Sequence, residues 1–246
     1  MLVCIQFISA LNLPNIICNY ALHDRQSANC KQDVIINKVA YAVLRKSIKK
    51  IIDELEEKSR KERTKRYDVK PEDRMLAITY ETGQFIHSLI VGIRAKSALE
   101  LGTSTGYSTL WITDAILTHY KTPRITTIER NPKKIERAIR NFKRAGVSRF
   151  IRIRRNEIGN VLKGLPRNAK FDFVLIDADK ENVIEYARLI IPHLKDGGVM
   201  VTDNMLYPKK YRKMMHQYST YLASRQNLQT CTLAIGNGQE ITVKKG

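Results

Sequence analysis

Two clusters of oxygen-bearing side chains lie in the second half of this 246-residue chain. The segment FDFVLIDADKEN contains Asp177, Asp179 and Lys180, and the segment VMVTDNML contains Asp203 and Asn204. Carboxylate and amide oxygens are the ligands that hard divalent cations such as Mg²⁺ prefer. We therefore predict a hard-cation site in which three oxygen side chains come from these two strand ends. The alternative is that these residues only cap helices.

A lysine three residues after Asp177 adds a second kind of chemistry. A divalent cation acidifies a bound hydroxyl and favours the neutral form of a neighbouring amine. Lys180 would then remove a proton from a substrate oxygen. Because this chemistry makes an oxygen nucleophile, we predict that Asp177 and Lys180 are the catalytic residues.

The stretch ELGTSTGYSTLW, from Glu100 to Trp111, predicts a ligand-binding turn between a strand and a helix. A dinucleotide-binding loop carries three glycines spaced as GxGxxG, and this loop has Ser104 where a second glycine is expected. That spacing disfavours a dehydrogenase. The loop instead offers hydroxyl groups, which suit a ligand with a carboxylate and an amine better than a diphosphate. These hydroxyls belong to Thr103, Ser104, Thr105 and Ser108.

A single acidic residue follows the next predicted strand, in the sequence ITTIERNP. A carboxylate at this place in an open α/β sheet can accept hydrogen bonds from both ribose hydroxyls of an adenosine. Together with the loop before it, this position predicts that Glu129 binds a ribose. The alternative is that Glu129 is only an acid that precedes a helix.

Strands and helices alternate after residue 92, which predicts an α/β fold with a doubly wound, mostly parallel sheet. The last two strands flank Gly236-Asn237-Gly238 and predict an antiparallel hairpin at one edge. The predicted strands are Ser97–Leu101, Arg124–Ile128, Phe150–Arg154, Phe171–Ile176, Gly198–Thr202, Thr230–Ile235 and Glu240–Lys244. The predicted helices among them are Tyr107–His119, Pro132–Ala145, Ile158–Lys163, Glu181–Leu194 and Lys209–Ala223.

The chain divides into three segments by composition. Residues 1–32 form an atypical apolar extension that is nearly free of charge, residues 33–92 carry helical patterns, and residues 93–246 form the α/β domain. An apolar stripe from Ile36 to Leu55 predicts one helix. Pro71 is expected to open a second helix that runs through MLAITYETGQFIHSLI.

The formal net charge of +19 is unevenly distributed. Residues 121–170 contain 16 Lys and Arg against three acids, whereas residues 171–204 contain three bases and seven acids. A basic face beside an acidic pocket would attract a polyanion such as RNA or a phosphate-bearing small molecule. The alternative is a solvated basic surface without a partner.

The cysteines are Cys4, Cys18, Cys30 and Cys231, and no two of them have CxxC or metal-finger spacing. A reduced, cytoplasmic setting is therefore expected. The apolar run at the N-terminus is interrupted by polar residues well short of a membrane span, so no membrane partner is expected.

Three motifs in this order, ELGTSTGYSTLW, IDADKEN and TDNMLY, resemble the cation-dependent O-methyltransferases that use S-adenosylmethionine. This group contains the catechol and caffeoyl-CoA O-methyltransferases and their prokaryotic relatives. The resemblance runs from about Thr79 to the C-terminus and includes ETGQF and the closing IGNGQEITVKK. It implies a class I methyltransferase fold, which is Rossmann-like with a seven-stranded sheet, in residues 93–246.

The resemblance also implies a role for each matched residue. The methionine end of the cofactor is expected to contact Glu100, Gly102, Thr103 and Ser108, with Ser104 in the same loop. Glu129 matches the ribose-binding acid, and Asp179 matches a further cofactor contact. The metal, usually magnesium, is expected to bind Asp177, Asp203 and Asn204, and Lys180 matches the catalytic lysine.

Two departures from the family pattern concern the cofactor pocket and the hairpin. Asn156-Glu157-Ile158 stands where the family usually has Gly-x-Ala, and Ile158 is expected to flank the adenine. Asn237 stands where an aspartate is more common.

Two acceptors fit this reading. One is a small catechol-like or hydroxylated metabolite. The other is a hydroxylated tRNA uridine, as in bacterial wobble-uridine methyltransferases, which the basic segments Arg124–Arg155 and Lys209–Lys213 favour. A non-catalytic S-adenosylmethionine-binding module is disfavoured because Lys180 and all three metal ligands are present. Relatives pair through their N-terminal helices, so a homodimer through the stripe is expected, unless the stripe packs on its own domain.

Overall fold

The computed structural model describes residues 44–64, 70 and 73–246. Its helices and sheet lie in one compact unit, Lys46–Gly246. The strands are β1 (Ser97–Leu101), β2 (Arg124–Glu129), β3 (Ile151–Arg155), β4 (Phe171–Ile176), β5 (Leu194–Asp203), β6 (Leu228–Leu233) and β7 (Gln239–Lys244). The helices are α1 (Lys46–Arg63), α2 (Tyr80–Gly92), α3 (Tyr107–Leu117), α4 (Pro132–Ala145), α5 (Ile158–Lys163), α6 (Val183–Ile190) and α7 (Arg212–Ala223).

The strands form one seven-stranded sheet in the order β3-β2-β1-β4-β5-β7-β6. Strands β1 to β5 are parallel, and β7 runs antiparallel to both β5 and β6. All five residues of β1 are buried, as expected for a parallel strand covered by helices on both faces. The predicted doubly wound sheet with a C-terminal hairpin is therefore confirmed. The carboxyl ends of β1, β2, β4 and β5 meet at one edge, where open α/β sheets bind ligands.

Helix α4 has the bounds that its sequence predicts, because both ends carry strong local signals. The side chain of Asn131 accepts hydrogen bonds from the backbone N–H groups of Lys133 and Lys134, and Pro132 occupies the first turn. At the other end Gly146 adopts the left-handed conformation with φ +74°.

The second predicted helix begins later than expected, so that prediction is wrong at its start. Residues 74–79 are not helical, and Leu76 lies in the left-handed region with φ +46°. Helix α2 begins at Tyr80, where the hydroxyl oxygen of Thr79 accepts a hydrogen bond from Thr82 N. Pro71 itself lies outside the described residues, as do the N-terminal extension and stripe residues 36–43.

The described part of the apolar stripe packs within the chain. Ile48, Ile51 and Ile52 are buried on α1. The Ser47 hydroxyl donates to the carbonyl of Ala145 (3.2 Å), which joins α1 to the end of α4. These residues therefore belong to the core of the unit, and a homodimer through the N-terminal helices stays a prediction.

Small differences in strand bounds have local causes. A short 3₁₀ turn at Ser148–Phe150 delays the start of β3 by one residue. A register shift between Phe171 and Phe173 lets β5 begin at Leu194, before its predicted start at Gly198. Within the described ranges, no helix combines the length and the apolar character needed to cross a membrane.

Candidate active site

Glu100 is a fully buried carboxylate near the end of β1. Its Oε2 accepts hydrogen bonds from the hydroxyls of Thr109 (2.5 Å) and Thr127 (2.6 Å). Burial raises the pKa of Glu100 to about 7, although these hydroxyl donors act in the opposite direction. Its Oε1 is buried and has no hydrogen-bond partner among the described residues. A cationic amine is the kind of group that would satisfy this oxygen.

The turn after β1 lies directly against the end of β4. Gly102 has φ +102°, and a Cβ added there would overlap the backbone oxygen of Asp177. The N–H of Asp177 in turn donates to the carbonyl of Leu101 (3.0 Å). Only glycine fits this position, because both the backbone conformation and the close approach exclude a side chain. The loop and the acidic cluster, 75 residues apart in the chain, are thereby in direct contact.

Two of the loop hydroxyls bind other parts of the protein. The Thr103 hydroxyl lies 2.5 Å from that of Thr127. The Ser104 hydroxyl donates to the carbonyl of Met75 (2.6 Å), so it fixes the loop against the segment before α2. Ser108 is buried in the first turn of α3. The hydroxyls of Thr103 and Ser104 thus have a structural role in holding the loop, and their contact with a cofactor stays a prediction.

Glu129, at the end of β2, is bonded to the same loop. Its Oε2 accepts from Ser104 N, and its Oε1 accepts from Arg130 N and Asn131 N, all at 2.9 Å. A carboxylate offers about four lone-pair sites. Glu129 therefore fixes the two adjacent loops and keeps capacity for a further donor.

The remaining predicted cofactor residues, Ile158 and Asp179, lie at or just before the starts of α5 and α6. Ile158 is the first residue of α5 and packs partly against the core. Asp179 is exposed, and it accepts hydrogen bonds from Tyr186 (2.7 Å) and Asn182 (2.6 Å) on the side of α6. Asp179 therefore contacts the start of α6 through side-chain hydrogen bonds, whereas helix capping would require a bond from a backbone N–H group.

The structure brings Asp177, Lys180 and Asp203 together at the ends of β4 and β5. Lys180 is buried, and its Nζ donates to the carbonyl of Asp203 (3.1 Å) and lies 3.9 Å from Asp177 Oδ1. Burial and the neighbouring charge of Asp203 raise the pKa of Asp177, which the charge of Lys180 opposes. Burial also raises the pKa of Asp203. A buried carboxylate and a partly buried one beside one amine make a site that a cation would stabilise.

Asn204 ends this cluster in a left-handed conformation with φ +65°, which asparagine tolerates better than most residues. The two residues that follow are held by the hairpin, because Met205 N donates to Gly238 O (3.0 Å) and Leu206 N donates to Asn237 O (2.9 Å). The β6–β7 turn thus fixes the backbone next to the predicted metal ligands.

Gln239 is a site residue that the sequence reading missed. It is fully buried at the start of β7, and its Nε2 donates to Asp203 Oδ1 and to the Thr82 hydroxyl (3.2 Å). A carboxamide in this place orients the Asp203 carboxylate and links it to α2. No local signal marks Gln239, because the contact depends on β7 pairing with β5.

The donor set fits a hard divalent cation. Asp177, Asp203 and Asn204 offer two carboxylates and one carboxamide, which is the oxygen chemistry that Mg²⁺ binds. Within the part of the chain that the structure describes, no three His, Cys, Asp or Glu side chains group in a way that could hold a metal. The predicted site therefore depends on the amide of Asn204 and on ligands from outside the protein.

Two exposed large apolar side chains follow the predicted metal ligands in the chain. Leu206 and Tyr207 are 40% and 60% exposed, and only Met205 separates them from Asn204. Exposed apolar groups beside a polar site suit contact with a planar, partly apolar ligand. Both residues belong to the motif TDNMLY, but the sequence alone indicates no role for them.

Comparison with known proteins gives consistent matches. The O-methyltransferase family model matches residues 48–245, a match that begins well before Thr79, where the sequence motifs start. Caffeoyl-CoA O-methyltransferase 5 from Nicotiana tabacum is 30% identical over 183 residues, which cover 67% of this chain and 75% of that protein. Catechol O-methyltransferase from Mycobacterium tuberculosis is 36% identical over 133 residues, or 53% of this chain and 58% of that protein.

Solved structures share the fold. The O-methyltransferase TomG from Streptomyces achromogenes, in complex with SAM, has a TM-score of 0.69 at 21% identity. The match covers 89% of this chain and 100% of TomG. At this identity the likeness concerns the fold alone.

Proposed function

This chain belongs to the O-methyltransferase family, and from that premise we propose that it methylates a hydroxyl of a small catechol-like acceptor with the help of a divalent cation, Mg²⁺. It is an S-adenosylmethionine-dependent O-methyltransferase. The observation that carries the proposal is the meeting of Lys180 with Asp177 and Asp203 beside the Gly102 turn. This arrangement joins a cofactor loop to a proton acceptor and a cation site.

The cofactor is proposed to lie along the edge formed by β1 and β2. The unpartnered Oε1 of Glu100 would accept from its amino group, with Gly102, Thr103, Ser104 and Ser108 lining the methionine end. Glu129 would accept from the ribose hydroxyls. Ile158 and Asp179 would contact the remaining cofactor surface on the side of α5 and α6.

The cation site is proposed to consist of Asp177, Asp203 and Asn204. When bound, a divalent cation would act as a Lewis acid and as a template for two neighbouring acceptor oxygens. Gln239 orients one of these ligands through its bond to Asp203. Because Gln239 comes from the hairpin, the hairpin is part of the working site.

Lys180 is proposed to take the proton of the acceptor hydroxyl. The oxygen then forms a bond to the methyl carbon while the carbon–sulfur bond of the cofactor breaks, which leaves S-adenosylhomocysteine. The carbonyl of Asp203 and the carboxylate of Asp177 hold the amine in position. Well-oriented reactants of this kind gain on the order of 7–11 kcal/mol from positioning.

The apolar rim favours a small planar acceptor. Leu206 and Tyr207 would cover one face of such a ring at the mouth of the site. The names of the matched plant and mycobacterial proteins point to acceptors of the same kind. The choice of a catechol-like acceptor rests on these two points.

A second candidate acceptor is a hydroxylated uridine in tRNA. The observation that favours it is the strongly basic segment 121–170. Its catalytic step would use the same residues.

The experiment that separates the acceptors is methyl transfer from labelled cofactor to a catechol panel and to total tRNA, with and without Mg²⁺. Transfer to catechols that Lys180→Met abolishes and the exposed-residue control Lys163→Met retains supports the proposal. Label that enters tRNA and no catechol would overturn it in favour of the second candidate.

A further inference from the structure

A group of exposed cations lies at the β3 end of the sheet. We call it the edge surface. It consists of Lys121, Arg124, Arg149, Arg152 and Arg154. Among the described residues none of these five side chains makes an ion pair or a side-chain hydrogen bond with an acid. Their charge is therefore available to a ligand from outside.

The cations of the neighbouring helix α4 are used differently. Lys133 pairs with Asp73 (3.3 Å), and Arg144 pairs with Glu54 (2.7 Å). Arg137 donates to the carbonyl of Asp73 (2.9 Å). Several cations of α4 therefore stabilise the fold through contacts within the chain. A count of charged residues does not distinguish them from the cations of the edge surface.

The edge surface is long and open. Strand β3 is the terminal strand of the sheet and pairs with β2 alone, so its outer edge faces away from the sheet. Arg152 and Arg154 project on the same face, about 6.6 Å apart along the strand. Arg155 follows in register with Glu129, so the surface ends beside the proposed cofactor edge.

A surface pocket extends the same charge to the other end of the strands. It has a volume of about 580 Å³ and is lined by Lys96, Lys121, Thr122, Pro123, Arg124, Arg149 and Phe150. The Arg149 guanidinium lies over the Phe150 ring, 4.6 Å from its centroid. Cationic side chains therefore lie along the full length of β3. This row is longer than a site for a single phosphate group.

The chemistry of this surface suits a phosphodiester chain. Guanidinium groups bind phosphate oxygens through paired N–H donors. The exposed large apolar side chains of the described residues are Leu76, Ile139, Leu206 and Tyr207, and none belongs to the edge surface. Without apolar groups to insert, the surface does not fit a lipid bilayer.

We propose that the edge surface binds the backbone of single-stranded or looped RNA. Duplex DNA is read by an α-helix or a two-stranded ribbon in the major groove, and this surface presents a single strand and its adjoining turns. Extended RNA can follow such a row of arginines and stack its bases on their planar groups. The proposal goes beyond the proposed reaction, since it concerns a surface outside the pocket and holds for either acceptor.

The test is fluorescence anisotropy with a labelled single-stranded RNA of about 20 nucleotides, a length that exceeds common single-strand site sizes. The edge variant is Arg149→Gln, Arg152→Gln and Arg154→Gln in one chain. The matched control carries Lys58→Gln, Arg225→Gln and Lys245→Gln, which remove the same charge from exposed positions elsewhere.

The edge variant is expected to bind this RNA about tenfold or more weakly, and its salt slope should fall by about 2 because roughly 0.7 is lost per single-strand phosphate contact. The control should change affinity less than about threefold. Equal losses in both variants would overturn the proposal, because binding would then follow net charge alone.

Two further arms keep the result specific. Tighter binding of a duplex DNA of equal length, or of phosphatidylserine vesicles, with loss in the edge variant would overturn the choice of RNA. Calorimetric binding of S-adenosylmethionine should be unchanged in the edge variant, which shows that the protein is folded. Arg152→Lys keeps the charge and removes the paired N–H donors of the guanidinium, so it should give an intermediate loss of RNA affinity. Unchanged RNA affinity in both this variant and the edge variant would contradict the proposal.

Discussion

Gly102→Ala is the substitution that most directly tests the contact between the cofactor loop and the acidic cluster. Gly102 has φ +102°, and a Cβ there would overlap the backbone oxygen of Asp177. Gly146 is a matched control, because it has φ +74° and no heavy atom within 4 Å of an added Cβ. Both variants place an alanine at a positive φ, and only Gly102→Ala adds a steric overlap.

The expected magnitudes follow from these two costs. A left-handed alanine costs roughly 1–2 kcal/mol, and the lower entropy of its unfolded chain returns roughly 0.4–1 kcal/mol. Gly146→Ala should therefore lower the free energy of unfolding by about 1 kcal/mol. Overpacking adds roughly 1–3 kcal/mol, so Gly102→Ala should lower it by about 3 kcal/mol. For a chain of this size, this is a Tm about 6–12 °C lower.

The assay is urea unfolding of both variants, followed by calorimetric binding of S-adenosylmethionine. We expect Gly102→Ala to bind the cofactor at least about tenfold more weakly, because displacement of the loop moves Glu100 and Asp177 apart. Gly146→Ala should bind it like the wild type. If both variants lost the same stability and kept full affinity, the loop would not depend on its contact with Asp177.

Three other outcomes are expected. Because burial raises the pKa of Glu100 to about 7, the folded protein without cofactor holds this proton more strongly than the unfolded chain, so stability falls as pH rises from about 4.5 to 7. Over this range the free energy of unfolding should fall by about 3 kcal/mol more in the wild type than in Glu100→Gln, in which Asp177 and Asp203 still titrate; parallel urea-unfolding results would contradict this. Lys180→Met should lower kcat about 10²–10⁴-fold while calorimetry shows retained cofactor binding, and an unchanged kcat would exclude Lys180 as the base. Gln239→Leu should weaken Mn²⁺ binding in a titration about 10–100-fold, whereas the exposed control Gln229→Leu should not; equal affinity in both would remove Gln239 from the site.

Much of the fold was predictable from two kinds of evidence that agree. Local residues mark helix ends, and alternating strands and helices form a parallel sheet whose strands end at one edge. Helix α4 begins at Asn131 and Pro132 and ends before Gly146, and all three are strong boundary residues. The acidic cluster was also predictable as a group, because Asp177 and Asp203 end adjacent parallel strands. Residues placed by this rule come together without any long-range information.

The parts that were missed depend on contacts between distant segments. The start of α2 is set by the cap at Thr79 and the left-handed Leu76, which outweighed the proline signal. Gln239 reaches Asp203 only because the hairpin returns beside β5. The Ser104 hydroxyl, read as a ligand donor, bonds to the carbonyl of Met75. A single sequence contains no direct signal for such pairings.

The charge distribution shows the same limit. The sequence predicts a basic face over residues 121–170, but it does not reveal which cations are neutralised within the fold. Among the residues that the structure describes, Lys133 and Arg144 of α4 pair with acids, whereas Arg152 and Arg154 of β3 do not. Only the second set is available to a partner.

The central claim is that methyl transfer depends on a cation held by Asp177, Asp203 and Asn204. The most direct measurement is transfer of labelled methyl from S-adenosylmethionine to a catechol acceptor, in EDTA and after Mg²⁺ is restored. We expect EDTA to abolish transfer and Mg²⁺ to restore it in the wild type, while Asp177→Ala loses metal binding and stays inactive. Full turnover in chelator without added metal would contradict the claim.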